Sequence, residues 1–218
     1  MSVVCGPSLQ LCAVRVTLLD ELGNVSSAED NSYVSDLIGS VGANPDILAG
    51  TQQTLIGGCD CVVADYRGTD KLRRFLFQMA LNAVEPGLLA LLIGADVVTD
   101  AGDLIGVTWP GPVSCGEAAP QVALEFWTKH FVGDAIDPEW PWFHHVYPSS
   151  SWQIGAQTYS NTFAEPQVNG FSRQNLLWGN GPYGDQPTGF DFSRGGFFLT
   201  TEDPPAADCG FQHVVPGS

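Results

Sequence analysis

Basic residues are what this chain has least of. Lys and Arg number 8 in 218 residues, against 24 Asp and Glu, and the formal net charge is −16. Charged residues of both signs make up only 15% of the chain, against roughly 25% in an average soluble domain. The acidity therefore comes from missing bases, not from surplus acids. This excludes a free-standing nucleic-acid binder, because phosphate affinity rests on clustered Lys and Arg. Long apolar runs are missing too. The longest, Leu88 to Val98, contains Asp96 and falls short of the roughly 20 residues that span a bilayer. No membrane helix is expected. The first basic residue is Arg15, so no charged n-region precedes an apolar stretch and no secretory signal is expected. Six Cys are far below disulfide-scaffold density. Reduced thiols in a protein made in a cytoplasm are expected.

Glycine, proline and aromatics are plentiful. Twenty-five Gly and 15 Pro break the chain too often for a helical bundle. Hydrophobic residues at 44% and aromatics at 11% argue against disorder, which needs low hydrophobicity. The length suits one generous domain. Such a chain buries roughly 70% of its unfolded surface, enough for a core without staples.

The periodicity is mostly that of strands. In Ala13 to Leu19, Val14, Val16 and Leu18 share one face and Arg15 and Thr17 the other, the alternation of a strand. Asp20 to Asn24 supplies turn chemistry. Asn31 to Gly42 reads as a second strand. From Ala43 to Asp70 the pattern fades amid Gly50, Gly57, Gly58 and Gly68. A long loop or a hairpin arm is expected over 43–70, since a loop of that size in a compact domain is usually functional or disordered. Thr54–Ile56 and Cys61–Val63 are β-prone pieces on either side of Gly57-Gly58.

Phe75, Phe77, Met79 and Leu81 then mark one face of the clearest strand. Pro86 to Ile93 is the one convincing helix, with Pro at its first position and Gly94 at its stop. Its nearly all-apolar surface predicts burial. Val122 to Trp127, Trp142 to Tyr147, Trp152 to Phe163 and Phe171 to Trp178 are further strand candidates. Short turns between them suggest an antiparallel sandwich or barrel. The chain after Thr201, with Pro204, Pro205 and Pro216, reads as an extended tail over 202–218. No boundary divides the chain, so a single domain over 1–218 is expected.

Few motifs carry chemistry. Gly179 to Gly184 matches G-x-G-x-x-G, but the fingerprint needs a helix to follow. Pro182 and Pro187 deny one, which leaves a Gly-rich turn. Cys59-Asp60-Cys61 and Cys209 with His213 lack the paired spacings of zinc sites. His144 and His145 are adjacent on a strand and point to opposite faces, so they do not share a ligand readily. No H-E-x-x-H and no G-x-S-x-G occurs. No catalytic, cofactor or metal residue is expected. Six Trp with many acids leave open a carbohydrate-binding or hydrolytic β-sandwich, although aromatics in a β-rich chain mostly pack in cores and interfaces.

Half of the bases fall within eight positions: Arg67, Lys71, Arg73 and Arg74. Lys and Arg commonly protect a solvated strand edge. In an acidic chain the island also fits a contact with an acidic surface of another copy, which makes these four the candidate inter-subunit residues.

The order of the pieces carries a resemblance. Val14-Arg15-Val16-Thr17-Leu18-Leu19-Asp20 followed by Gly23 resembles the opening of the major tail tube proteins of long-tailed phages of actinobacteria. Val84 to Gly94 resembles the family's strand that runs into an acidic-Pro helix ending at Gly. Val122-Ala123-Leu124-Glu125-Phe126-Trp127-Thr128 is similar to its apolar-Glu-Leu-Trp strand. Trp178-Gly179-Asn180-Gly181-Pro182-Tyr183 is similar to its Trp-Gly-x-Gly-Pro-Tyr turn. The 40–70 region and Asp137 to Ser151 match no quotable pattern.

The resemblance implies a mainly β chain, an antiparallel sandwich or barrel of the tail-tube type with a short flanking helix. It implies hexameric rings stacked into a hollow tube in the virion tail, through which DNA passes without specific binding. Tape-measure, terminator and distal tail proteins are the implied partners. It implies no catalysis, no cofactor and no membrane. A capsid-decorating protein would share the assembly chemistry and differ in its place on the virion. The charge balance suits a conduit. Six copies of −16 total −96, and a base-poor lining repels the phosphates that a basic one would hold.

Overall fold

The computed structural model describes residues 8–56, 59, 61–110, 119–157, 166–179, 181–207, 211–212 and 214. Among these the chain is mainly β and antiparallel, with one short helix. The strands in chain order are β1 (Ser8–Leu19), β2 (Ser32–Ser35), β3 (Ile38–Leu48), β4 (Gln52–Ile56), β5 (Val62–Arg67) and β6 (Lys71–Leu81). Helix α1 (Pro86–Ile93) follows, then β7 (Asp96–Asp100), β8 (Asp103–Thr108), β9 (Gln121–Val132) and β10 (Ala135–Ile136). The chain continues with β11 (Trp142–Ile154), β12 (Gln167–Ser172), β13 (Gly196–Thr200) and β14 (Phe211–Gln212). No described helix is long and apolar enough to cross a membrane.

The large sheet runs β14-β2-β1-β9-β11-β12-β6-β3, with β10 added to β9 and β13 to β11. Its centre is the β1–β9 ladder, where Val14 faces Phe126, Arg15 faces Glu125 and Val16 faces Leu124. One edge of β11 pairs with β9, and the other is shared between β13 and β12. The register slips between Tyr147 and Ser150. Pro148 lies in that gap and has no N–H to give to a ladder.

The alternation read in the sequence builds the core. Val14 and Val16, Leu124 and Phe126, and Phe77, Met79 and Leu81 all enter one apolar cluster. Strands from both halves of the order share that cluster, so the sheet curls around it. Helix α1 packs into it with Leu88, Leu89, Leu91, Leu92 and Ile93, all buried as expected. Burial of a Leu side chain is worth about 1.5–3 kcal/mol, which holds an eight-residue helix too short to persist alone. Gly94 stops it at φ 67°, its N–H donating to the Ala90 carbonyl at 2.9 Å. At its other end Glu85 is buried and accepts from Tyr33 Oη at 3.2 Å and from Ser35 Oγ. Burial raises this carboxyl above its ordinary range despite those bonds. A second cluster, Leu19, Ala123, Val146, Trp178 and Phe192, lies on the opposite face of the central strands.

Several elements differ from the sequence reading. Asn31 to Gly42 is two strands, broken where the Leu37 N–H donates to Ser35 Oγ at 3.0 Å. Over 43–70 the hairpin-arm alternative holds and the single loop does not. Ala43–Leu48 prolongs β3, and β4 and β5 pair as a hairpin. The candidate at Phe171 to Trp178 ends as a strand at Ser172. Asn175 replaces the ladder there, donating to the Gly23 and Pro148 carbonyls and accepting from the Leu177 N–H, the competition that Asn side chains offer to regular structure. The Trp152 to Phe163 candidate is strand only to Ile154, and Tyr159 and Phe163 lie outside the described residues. Within the 202–218 tail, Phe211–Gln212 pairs with β2 as β14.

Candidate assembly surfaces and a buried charge cluster

The central strands bury charge on the face away from the main core. Arg15 sits between Val14 and Val16, so its side chain leaves β1 on the opposite side. It is 5% exposed, and Glu125 across the ladder is 0% exposed. Arg15 Nε donates to Glu125 Oε2 at 2.8 Å, and Arg15 Nη2 to Asp185 Oδ2 at 2.7 Å. His144 Nε2 lies 3.2 Å from Glu125 Oε1. Gln186 Nε2 donates to that same oxygen at 3.4 Å, while its Oε1 accepts from Trp178 Nε1 at 3.1 Å. The guanidinium lies 3.2 Å from the Tyr183 ring centroid and 5.0 Å from that of Trp127. Tyr183 Oη shares hydrogen bonds with Thr17 at 2.6 Å and Ser32 at 3.0 Å.

These bonds give the Gly-rich turn its purpose. Gly179, Gly181 and Gly184 all have positive φ, a region that side chains rarely adopt. They let the segment from Trp178 to Gln186 fold down so that three of its side chains reach the Arg15–Glu125 pair. A Cβ on Gly181 would also meet Gln186 Nε2 at 2.5 Å.

The electrostatics lock the Arg15–Glu125 pair in its charged form. Burial alone would raise the Glu125 carboxyl. The Arg15 charge and the His144 hydrogen bond overcome that and hold it at about 2. Burial likewise works against the Arg15 charge, and Glu125, Tyr183 and Asp185 together raise its pKa instead. A carboxylate held that low does not exchange protons near neutral pH, so it is a poor general acid or base. Glu125, His144 and Asp185 offer ligand atoms within 4.8 Å of one another, but the Arg15 guanidinium already supplies the positive charge between both carboxylates. The arrangement acts as a clamp.

Sequence reasoning took Arg15 as one residue of a strand face, and Glu125 and Asp185 entered no site. The available signal was one charge in the middle of each of two apolar strands. His144 and His145 do point to opposite faces. His144 stacks on Trp127 and His145 on Phe126, with centroids 4.2 and 4.4 Å apart. Trp127, Trp152 and Trp178 are buried, and Trp109 is exposed. Cys12, Cys59 and Cys61 are free thiols. Cys115, Cys209 and His213 lie outside the described residues.

The second notable feature is two exposed hairpins outside the large sheet. Every described residue of β4 and β5 is exposed, including Leu55, Ile56, Val62, Val63 and Tyr66, each at 60% or more. The arm is pinched at its base by Gly50 and Gly68. Gly68 N–H donates to the Thr51 carbonyl at 3.0 Å, and Gly50 N–H to Asp70 Oδ1 at 2.9 Å. A Cβ on Gly50 would overlap the Gly68 carbonyl. In β7–β8, Val97, Val98, Leu104 and Ile105 are exposed beside Asp96, Asp100 and Asp103.

The basic island lies at the foot of the β4–β5 arm. Arg67 ends β5, and Lys71, Arg73 and Arg74 begin β6. The structure divides them. Arg74 is half-buried, donates to Asp46 Oδ2 at 3.0 Å and lies over the Phe171 ring. Arg67 and Arg73 are over 60% exposed and make only loose pairs, with Asp70 at 3.3 Å and Asp46 at 4.0 Å. Lys71 is exposed and makes no ion pair among the described residues.

No protein-family model matches the chain, and no curated protein matches it.

Proposed function

We propose that this chain is a structural subunit that self-assembles into stacked hexameric rings, forming the hollow tail tube of a phage virion. The observation that carries the reading is the β4–β5 arm. Two strands alone are at best marginally stable in water, and this pair presents five large apolar side chains to solvent. Exposed apolar surface of that kind marks a protein–protein contact. Covering it with another copy stabilises both the arm and the assembly. The ordered resemblance of its motifs to those of tail tube proteins supports this reading of the assembly.

The charge balance supports the same reading. Acidic, base-poor subunits give a lumen that does not hold duplex DNA, so the genome passes without specific binding. The repulsion between copies must then be overcome by apolar burial and edge pairing. The protein would be made in the host cytoplasm and work in the virion tail, beside tape-measure, terminator and distal tail proteins. The proposal gives it no enzymatic step and no cofactor. Its test is sedimentation velocity of the purified chain over a concentration series. A subunit of a tube forms hexamers and larger multiples of them. A chain that stays monomeric at the highest concentration is not one.

A further inference from the structure

We infer that the acidic β7–β8 hairpin of one copy docks against the basic foot of the β4–β5 arm of the next. This rests on the self-assembly proposed above and names the two surfaces that meet.

The β7–β8 hairpin is built for a cationic partner. Residues 96–108 contain three Asp and no Lys or Arg. Asp100 lies directly across from Asp103, and Asp96 shares the face of Asp100 two pleats away. Like charges directly opposite destabilise a strand pair. None of the three makes an ion pair among the described residues. The turn between the strands adds strain, with Ala101 at φ 51°, a conformation that a residue with a Cβ adopts at a cost. The hairpin therefore concentrates unneutralised negative charge on a projecting, partly apolar element.

The foot of the arm is its complement. Arg67, Lys71 and Arg73 are exposed, and they hold three of the chain's eight bases. Lys71 and Arg73 flank Leu72 at the start of β6, where the register with β3 slips between Asp46 and Ile47. The facing Asp100 and Asp103 have Cβ atoms about 5 Å apart, so the acids form a compact patch opposite in sign to these bases. Apolar surface accompanies charge on both sides. Ile47, Leu48 and Leu72 flank the bases, and Val97, Val98, Leu104 and Ile105 flank the acids, all exposed. Ion pairs at an interface mainly fix register and partner, while the apolar neighbours supply the burial. The two surfaces differ, so the contact is heterologous and propagates from copy to copy, as a ring or a stack requires.

The test is a charge swap in the full-length chain. One variant carries Arg67→Glu, Lys71→Glu and Arg73→Glu. A second carries Asp96→Lys, Asp100→Lys and Asp103→Lys. A third carries all six. Circular dichroism and thermal melting check folding, and sedimentation reads the assembled fraction. Each triple variant loses at least about tenfold in assembled fraction, the scale of like charges replacing a pair. The sixfold variant recovers assembly, and an equimolar mixture of the two triple variants co-assembles. Should a reversal fail to fold, the neutral sets with Gln or Asn at the same positions show the same loss at smaller size. A native chain that assembles while the folded triple variants assemble equally well overturns this contact and leaves the tube reading standing. No recovery in both the sixfold variant and the mixture overturns it as well. A native chain that never assembles overturns the tube reading, and this contact falls with it.

Discussion

Arg15 and Glu125 face each other across the β1–β9 ladder, joined at 2.8 Å and shielded from solvent. Removing one member of a buried pair strands the other charge and costs about 3–5 kcal/mol. Glu125→Gln should therefore lower the stability read by urea unfolding by that order. Arg15→Met should do the same. The double variant Arg15→Met/Glu125→Leu should recover a large part of the loss. Single losses below about 1 kcal/mol would show that the pair does not clamp the Trp178–Gln186 segment.

Acid should act on His145 before it acts on that pair. Burial, and then the His144 charge, lower the His145 imidazole to about 4, against about 6.5 in an unfolded chain. A group with a depressed folded pKa contributes fully above its unfolded value and loses that contribution as pH falls through the folded one. The window is pH 6.5 down to about 4, and the loss is about 3 kcal/mol. Glu125 acts in the same sense lower down, from its ordinary carboxyl range to about 2. Glu85 runs the other way: its raised carboxyl favours the fold at low pH and loses that effect as pH rises. Urea midpoints measured between pH 7 and 4 should fall for the native chain and flatten for His145→Phe. Parallel curves for the two would count against this assignment.

The arm's foot should be intolerant of a side chain at Gly50. A Cβ there overlaps the Gly68 carbonyl, so Gly50→Val must part the two strands that lead into β4 and β5. Global stability should change little, because the arm lies outside the core clusters. Proteolysis within 52–67 should accelerate, and assembly should fall. An unchanged cleavage rate in the variant would show that the pinch is unimportant.

The arm's apolar residues should matter for association and not for folding. Leu55→Ser, Ile56→Ser and Val63→Ser replace side chains that are 60% or more exposed. Combined, they should leave the melting temperature within a few degrees of the native value, as surface changes do. The concentration needed for assembly should rise at least about tenfold, as interface truncations of this size dictate. A variant that assembles at native concentrations would remove the arm from the interface.

The framework was legible because alternation reports one buried face. Val14, Val16, Leu124, Phe77 and Met79 fell where the pattern placed them, and Pro86 and Gly94 bracketed α1. The covering of the second face was not legible. Arg15 and Glu125 occupy strand positions that are polar when solvated, and only the folded-down segment around Tyr183 and Asp185 makes them interior. The partner residues lie 60 to 170 positions apart in the chain, and no local pattern records such a meeting. Phe171 to Trp178 misled for a related reason, since Asn175 satisfies distant carbonyls and ends the ladder. The basic island was legible as four residues. Its division was not, because the Asp46 that draws Arg74 aside is set by β3–β6 register.

Direct imaging bears most closely on the central claim. Electron microscopy of the concentrated, full-length protein should show sixfold rings stacked into tubes with an open central channel. A field of single, unassociated particles under the same conditions would contradict it.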